Sequence, residues 1–282
     1  MSALNGILVP TDFSKAAFSA LEYGIYIANR RNREVYLLHV VSKSKLRENI
    51  SVAANYKERI YALEKRLNTL KNNSGGAFRI STHLIVSDKP VHEEIIAFGN
   101  KYQAGLCCIG TFGTAYSASK HRIGSNTAKV VSEALFPVAT SYVTHHPIQF
   151  KNLLLPIDLT RHTQEKVQRI IYFAKDFDAK IFLLATSEFL EELTTSDDKL
   201  EERLEEAASQ IRSEGLRCST EIIRHDAVSK SVTGYAKEIE ADLIVIMASN
   251  QSWFSQWLRG SRTNKVITHS DIPVLSFRPQ ED

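Results

Sequence analysis

At 282 residues the chain has room for two domains of ordinary size or one large one. With 43% hydrophobic and 24% charged residues it is composed like a soluble globular protein, and intrinsic disorder is excluded. A net charge of +3 with no concentrated basic face argues against nucleic acid as a partner, and no apolar run approaches the roughly 18 residues of a membrane span.

The chain opens on Gly6-Ile7-Leu8-Val9-Pro10, which reads as a strand near 5–10 and not as a leader, so a cytoplasmic location is expected. A helix near 14–31 opens on Asp12 or Ser14 as N-cap and lines Ala17, Leu21, Gly24, Ile25 and Ala28 along one stripe. The second strand, near 34–41, is the continuous apolar run Val35-Tyr36-Leu37-Leu38-His39-Val40-Val41, typical of a strand covered on both faces. Lys43-Ser44-Lys45 and Arg47 read as a charged loop after it, on the side where a ligand would sit. A helix near 48–72, a strand near 78–86 and a helix near 90–102 follow. The fourth strand, near 105–110, contains Cys107 and Cys108, whose side chains are expected on opposite faces as small core residues. A helix near 125–135 and a strand near 137–143 complete the first half.

The same blocks then recur. Ile7-Leu8-Val9-Pro10-Thr11-Asp12 aligns with Leu153-Leu154-Leu155-Pro156-Ile157-Asp158, and Val35-Tyr36-Leu37-Leu38 with Ile181-Phe182-Leu183-Leu184, both at an offset of 146. Ala104-Gly105-Leu106-Cys107-Cys108-Ile109 matches Ala241-Asp242-Leu243-Ile244-Val245-Ile246, and Gly124-Ser125 matches Gly260-Ser261. Pro137-Val138 matches Pro273-Val274. The join falls near Thr144-His145-His146-Pro147, placing domains at 1–146 and 147–282. Strand–helix alternation at this rhythm predicts an α/β chain of two doubly wound, five-stranded parallel-sheet domains in tandem. Ligands on such sheets bind beyond the carboxyl ends of the strands, where strand order reverses.

After the first strand comes Pro10-Thr11-Asp12. Asp12 can cap the following helix or accept hydrogen bonds from a ribose or adenine. After the fourth strand comes Gly110-Thr111-Phe112-Gly113, then ten residues, then Gly124-Ser125-Asn126-Thr127 opening a helix. Glycines allow close backbone approach, and a helix N-terminus offers unpaired N–H groups to an anion. Lys120, His121 and Arg122 in the spacer can screen phosphate charge.

This arrangement resembles the universal stress protein family, whose ATP-binding members carry Gly, two residues, Gly, nine residues, then Gly-Ser or Gly-Thr. The resemblance spans essentially the whole chain, twice. It implies strand order 3-2-1-4-5 and pairing of two domains through their last strands, which a fused pair satisfies as an intramolecular pseudo-dimer; a homodimer of such chains is compatible with it. It also implies adenine-nucleotide binding with a stress-response or signalling role, an unknown protein partner, and ATP accompanied by Mg as ligand. Carried over residue by residue, the implied contacts in the first half are Pro10, Thr11, Asp12, Val41, Gly110, Gly113, Gly124, Ser125, Asn126 and Thr127.

Each half departs from the pattern differently. The first keeps both early glycines, but its spacer, Thr114 to Ile123, is one residue longer than the family's. The second keeps a nine-residue spacer, Gln251 to Arg259, and puts Met247 and Asn250 where the glycines belong. The first half is therefore the expected nucleotide binder and the second a structural partner. The aromatic cluster Trp253, Phe254 and Trp257 can cover the vacated pocket, cap the sheet or present a contact surface, and packing over the pocket is the first expectation. His145-His146 is read as solvated linker and His39 as a satisfied edge-of-core residue, not as metal ligands. Glu188 to Glu206 is read as a solvated helix face capped by Ser196 or Asp197. The alternative to nucleotide binding is a nucleotide-free interaction scaffold. An adenylyl or phosphoryl transferase is disfavoured, since neither His-x-Gly-His nor Ser-Gly-Gly-x-Asp occurs. At most weak ATP hydrolysis is expected.

Overall fold

Short apolar runs bounded by polar turns form the strands of the computed structural model, which describes residues 6–47, 54–74, 79–113, 123–143, 148–157, 163–186, 197–223, 228–247 and 270–278. The chain divides into two compact units, Met1–Ile148 and Gln149–Asp282.

In the first unit the strands are β1 (Ile7–Pro10), β2 (Val35–Ser42), β3 (Ile80–Ser87), β4 (Leu106–Gly110) and β5 (Val138–Ser141). The helices are α1 (Lys15–Arg31), α2 (Lys43–Arg47), α3 (Ala54–Asn73), α4 (Val91–Lys101) and α5 (Ser125–Glu133). The strands lie in the order β3-β2-β1-β4-β5, and the pairs β1–β2, β1–β4, β2–β3 and β4–β5 are parallel. Ile7, Leu8 and Val9 are at most 1% exposed because β1 lies mid-sheet with layers on both sides. Each such side chain contributes about 1.5–3 kcal/mol relative to exposure.

The register sorts the helices by face. Val9 and Leu37 share one face, and a methyl placed on Gly24 of α1 would meet Val9 and the Cβ of Cys108, so α1 covers that face. Thr82 pairs with Leu37 and donates its hydroxyl to Asn68 of α3, which puts α3 on the same side. Tyr36 points the other way and meets Phe98 and Tyr102 at the end of α4, with ring centroids 6.1 and 5.4 Å away. Cys107 and Cys108 are both buried, and burial raises both thiols, Cys108 to about 12, so neither is a thiolate at neutral pH.

The second unit repeats this plan with β6 (Asn152–Ile157), α6 (Thr163–Lys175), β7 (Lys180–Thr186), α7 (Asp197–Ser213), β8 (Cys218–Ile223), α8 (Val228–Glu238), β9 (Leu243–Met247) and β10 (Val274–Phe277). Its strand order is β8-β7-β6-β9-β10. At the base of the sheet Asp242 accepts hydrogen bonds from the backbone N–H of Lys151 at 2.7 Å and Asn152 at 2.9 Å, tying the starts of β6 and β9. The repeat reaches backbone conformation. Asn32 and Asp178 both adopt φ of 51°, and Gln103 and Glu240 both adopt 49°, each just past a helix end. In every case the next N–H reaches back five residues, as from Arg33 to Ala28 or Ala241 to Ala236, both within 2.9 Å.

Three details differ from the expectations. Lys43–Arg47 is the short helix α2 and not a loop. Along α1, Ile25 is only half-buried while Ala16, Ala20, Tyr23 and Ile27 join the buried set, because the helix is covered on a wider arc than one stripe. The helix expected near 48–72 is described from Ala54 onwards. Thr144-His145-His146-Pro147, Ser196, Asp158, Asn250, Gly260-Ser261 and the Trp253-Phe254-Trp257 cluster lie outside the described residues, as do Lys120, His121 and Arg122.

Candidate functional site

The end of β1 turns sharply. Pro10 and Thr11 are buried, and the Thr11 N–H continues the ladder by donating to Leu38 at 2.8 Å. The Thr11 hydroxyl accepts from the Phe13 N–H at 3.0 Å, and Asp12 Oδ1 accepts from the Ser14 N–H at 3.0 Å. Ser14 is the N-cap of α1, its hydroxyl accepting from Ala17 at 3.1 Å. Of the two N-cap candidates Ser14 is the cap, and Asp12 closes the turn before it. Phe13 pays for this turn with φ of 64°, a left-handed conformation costly for an aromatic residue.

Phe13 is pinned on two sides. Its ring lies 4.6 Å from the His39 ring, and the Arg66 guanidinium sits 4.2 Å above it. His39 Nδ1 is 2.6 Å from the Thr11 carbonyl oxygen, which can only accept, so the proton resides on Nδ1. Burial pushes the His39 pKa below its ordinary value and Arg66 adds to this, against the Thr11 hydrogen bond and Asp12. His39 is thus a satisfied half-buried histidine that braces the loop carrying Asp12. Arg66 belongs to α3, and nothing in its sequence context marks it.

The second wall follows β4. A Cβ on Gly110 would stand 2.7 Å from the Ala16 carbonyl carbon and 2.8 Å from the Ala17 nitrogen, so this glycine permits close packing of β4 against α1. A Cβ on Gly113 would collide with Asp12 Oδ2, so the loops after β1 and β4 are in contact at this point. The loop between them and α5 is closed at its neck. The Gly124 N–H donates to the Thr111 carbonyl at 2.8 Å, and Thr111 donates both its N–H and its hydroxyl to Ser141 at 2.9 Å.

At the start of α5, Gly124 is the N-cap and supplies no side-chain bond. The first N–H to reach back to it is that of Ala128, at 2.9 Å. The N–H groups of Ser125, Asn126 and Thr127 therefore stand outside the helix ladder, and Ser125 and Asn126 are exposed. Thr127 is different: it is 5% exposed and its hydroxyl donates to the Gly110 carbonyl at 2.8 Å, so its side chain fastens α5 to β4. Val41 is half-buried in β2 beside Val86, three residues beyond Leu38, the partner of Pro10. The fold thus brings Thr11, Asp12, Gly110, Gly113 and Gly124 together, leaves Ser125 and Asn126 open above them, and turns Thr127 inward. In the second unit β9 ends on Met247 at the position of Gly110.

A doubly wound sheet with a capped β1 loop and a glycine-bearing loop at adjacent strand ends belongs to the α/β class whose ligands bind beyond the carboxyl ends of the strands. The family model of the universal stress protein family matches residues 5–140 and 149–278, and the chain belongs to that family as a tandem two-domain member. Universal stress protein G of Shigella flexneri is 28% identical over 143 residues, covering 46% of this chain and 99% of its own length. A universal stress protein of Methanocaldococcus jannaschii is 23% identical over 140 residues, 45% of this chain and 81% of its own. The crystal structure of a universal stress protein from Archaeoglobus fulgidus DSM 4304 covers 99% of this chain and 97% of its own, with TM-score 0.74 and 20% identity. A functionally unknown protein from Pseudomonas aeruginosa PAO1 covers 98% and 93% with TM-score 0.66 and 18% identity. Among the described residues no helix is long and apolar enough to cross a membrane.

Proposed function

We propose that the first domain binds an adenine nucleotide, ATP in the first instance, beyond the ends of β1 and β4, and that the nucleotide acts as a signalling ligand. The observation that carries this reading is the convergence of the Asp12 turn on Gly113, beneath an α5 N-terminus with three N–H groups outside the helix ladder. Those groups and the helix dipole suit a phosphate. The Asp12 carboxylate repels phosphate and suits ribose hydroxyls or the adenine amino group, so the nucleotide lies with its nucleoside at β1 and its phosphates at α5. Val41 and Pro10 supply apolar contact for the base. Thr127 enters this set through its N–H, since its hydroxyl is already used. Mg would arrive with the phosphates.

Ser125→Pro is the discriminating variant. Proline is accepted at the first helical position after an extended residue, and Gly124 has ψ of 145°. The change deletes one N–H and the hydroxyl while leaving α5 intact. Calorimetry with Mg-ATP should give binding to the natural chain and a loss of roughly tenfold or more in Ser125→Pro, as expected for a hydrogen bond to a charged group. Absence of both heat and a thermal shift with the natural chain at millimolar ATP would remove the nucleotide reading and leave the nucleotide-free scaffold.

A further inference from the structure

The outer edge of the first unit's sheet is open. β3 ends the strand order and runs for eight residues, pairing with β2 without a break from Ile80 to Ser87. Native edge strands are ordinarily blunted by a lysine, a proline, a bulge or shortness, and β3 has none of these. The equivalent edge strand β8 is shorter, and Glu221 stands opposite Leu184 in it where His83 stands opposite Leu38 in β3. The Val35 N–H donates to the Arg79 carbonyl at 2.9 Å, which sets the parity of the ladder. Ser81, His83 and Ile85 turn their backbone groups to β2, and Ile80, Thr82, Leu84 and Val86 turn theirs outward. Those outward N–H and C=O groups make no backbone hydrogen bond among the described residues.

We propose that β3 pairs antiparallel with β3 of a second copy of this chain, about a twofold axis through His83, joining two first units edge to edge. The strand is self-complementary in that register. Ile80 opposes Val86 of the second copy and Thr82 opposes Leu84, so the outward residues meet outward residues and each pair exchanges two N–H···O bonds. A register displaced by one residue would set outward groups against inward ones. The side chains agree with the backbone: Ile80–Val86 and Thr82–Leu84 lie on the α3 face, Ser81–Ile85 and the two histidines on the α4 face, with no charged pair on either. His83 packs on Phe98 and Tyr102, ring centroids 4.8 and 5.5 Å away. Burial, joined by Lys101, lowers its pKa against Glu34, so the axis carries no charge at neutral pH. The flank of α3 supplies further apolar area. Leu67 is buried against the sheet, Arg66 turns to Phe13 and Asn68 turns to Thr82 at the edge. Tyr61, two turns before Asn68 on the same stripe, is 68% exposed. Joined strands set the two α3 helices side by side above them and cover each Tyr61, a ring that buries about 150–250 Å².

Sedimentation of the full chain from about 1 to 200 μM tests this, without nucleotide, since the edge does not depend on the β1–β4 site. The natural chain should pass from monomer to dimer with a Kd of roughly 10–100 μM, as expected for a contact at the small end of specific interfaces. Thr82→Pro deletes an outward N–H that β2 does not use, and Thr82→Lys puts a charge on the edge. Each should weaken the dimer about tenfold or more while far-UV circular dichroism keeps the natural spectrum. If the proline variant fails to fold, Thr82→Lys decides. Register is read with cysteines. Under mild oxidation His83→Cys should give a disulfide-linked dimer across the axis, and Ile85→Cys, on the same face but opposite Ser81, should not. A chain that stays monomeric at about 200 μM, a dimer that a folded Thr82 variant leaves intact, or equal cross-linking of the two cysteine variants would each overturn the pairing.

Discussion

His39 couples the β1 turn to pH. Its pKa lies below the ordinary value because burial, joined by Arg66, outweighs the Thr11 hydrogen bond and Asp12. On the opposite face His83 is also lowered, by burial and Lys101 against Glu34. A histidine of depressed folded pKa stays neutral in the fold while the unfolded chain takes up its proton near pH 6.5. Stability is therefore complete above about pH 6.5 and falls as the pH drops below it toward the lower folded values. Denaturation midpoints at pH 7.5 and 5.5 should show this loss in the natural chain and a smaller one in His39→Gln, whose amide can keep the bond to the Thr11 carbonyl. An identical loss in both would assign the effect to His83 or to other groups.

At the scale of elements, the helix ends carry a correctable cost. Gln103 and Glu240 hold left-handed backbone after α4 and α8, at φ of 49° each, where side chains other than Asn and Gly are strained. Gln103→Gly and Glu240→Gly should each stabilise the chain by about 0.5–1 kcal/mol, whereas Asn32→Gly, where Asn already tolerates the conformation, should change little. Chemical denaturation of the three variants checks the ranking. These caps also show what sequence makes visible. β2 and β4 are legible because buried parallel strands need continuous apolar runs, as in Val35-Tyr36-Leu37-Leu38 and Leu106-Cys107-Cys108-Ile109. The repeat is legible because the same runs recur in order. The short α2 is not, since Lys43–Arg47 has one apolar residue and hence no period. Nor could spacing reveal that Ser14 and not Asp12 caps α1, or that Thr127 spends its hydroxyl on Gly110: both choices depend on where a strand end meets a helix. The bracing of Phe13 by Arg66 is a contact between residues 53 positions apart, which no local pattern encodes.

For the whole molecule, the two copies share a plan and differ where a ligand would sit. Gly110 ends β4 in one and Met247 ends β9 in the other. A nucleotide held by one copy stabilises that copy by mass action, about 2.7 kcal/mol at a hundredfold excess over Kd. Amide exchange measured with and without Mg-ATP resolves where this free energy acts. Slowing should be concentrated in the first unit, strongest at the ends of β1 and β4 and the start of α5, while the corresponding amides of β6 and β9 keep their rates. Calorimetry on the same sample should give one nucleotide per chain. Two per chain, with equal protection in both units, would mean that Met247 does not close the second site and that the copies are functionally alike. One per chain with protection spread through both units would mean that they unfold as a single cooperative body, so that a ligand read by the first is felt by the second.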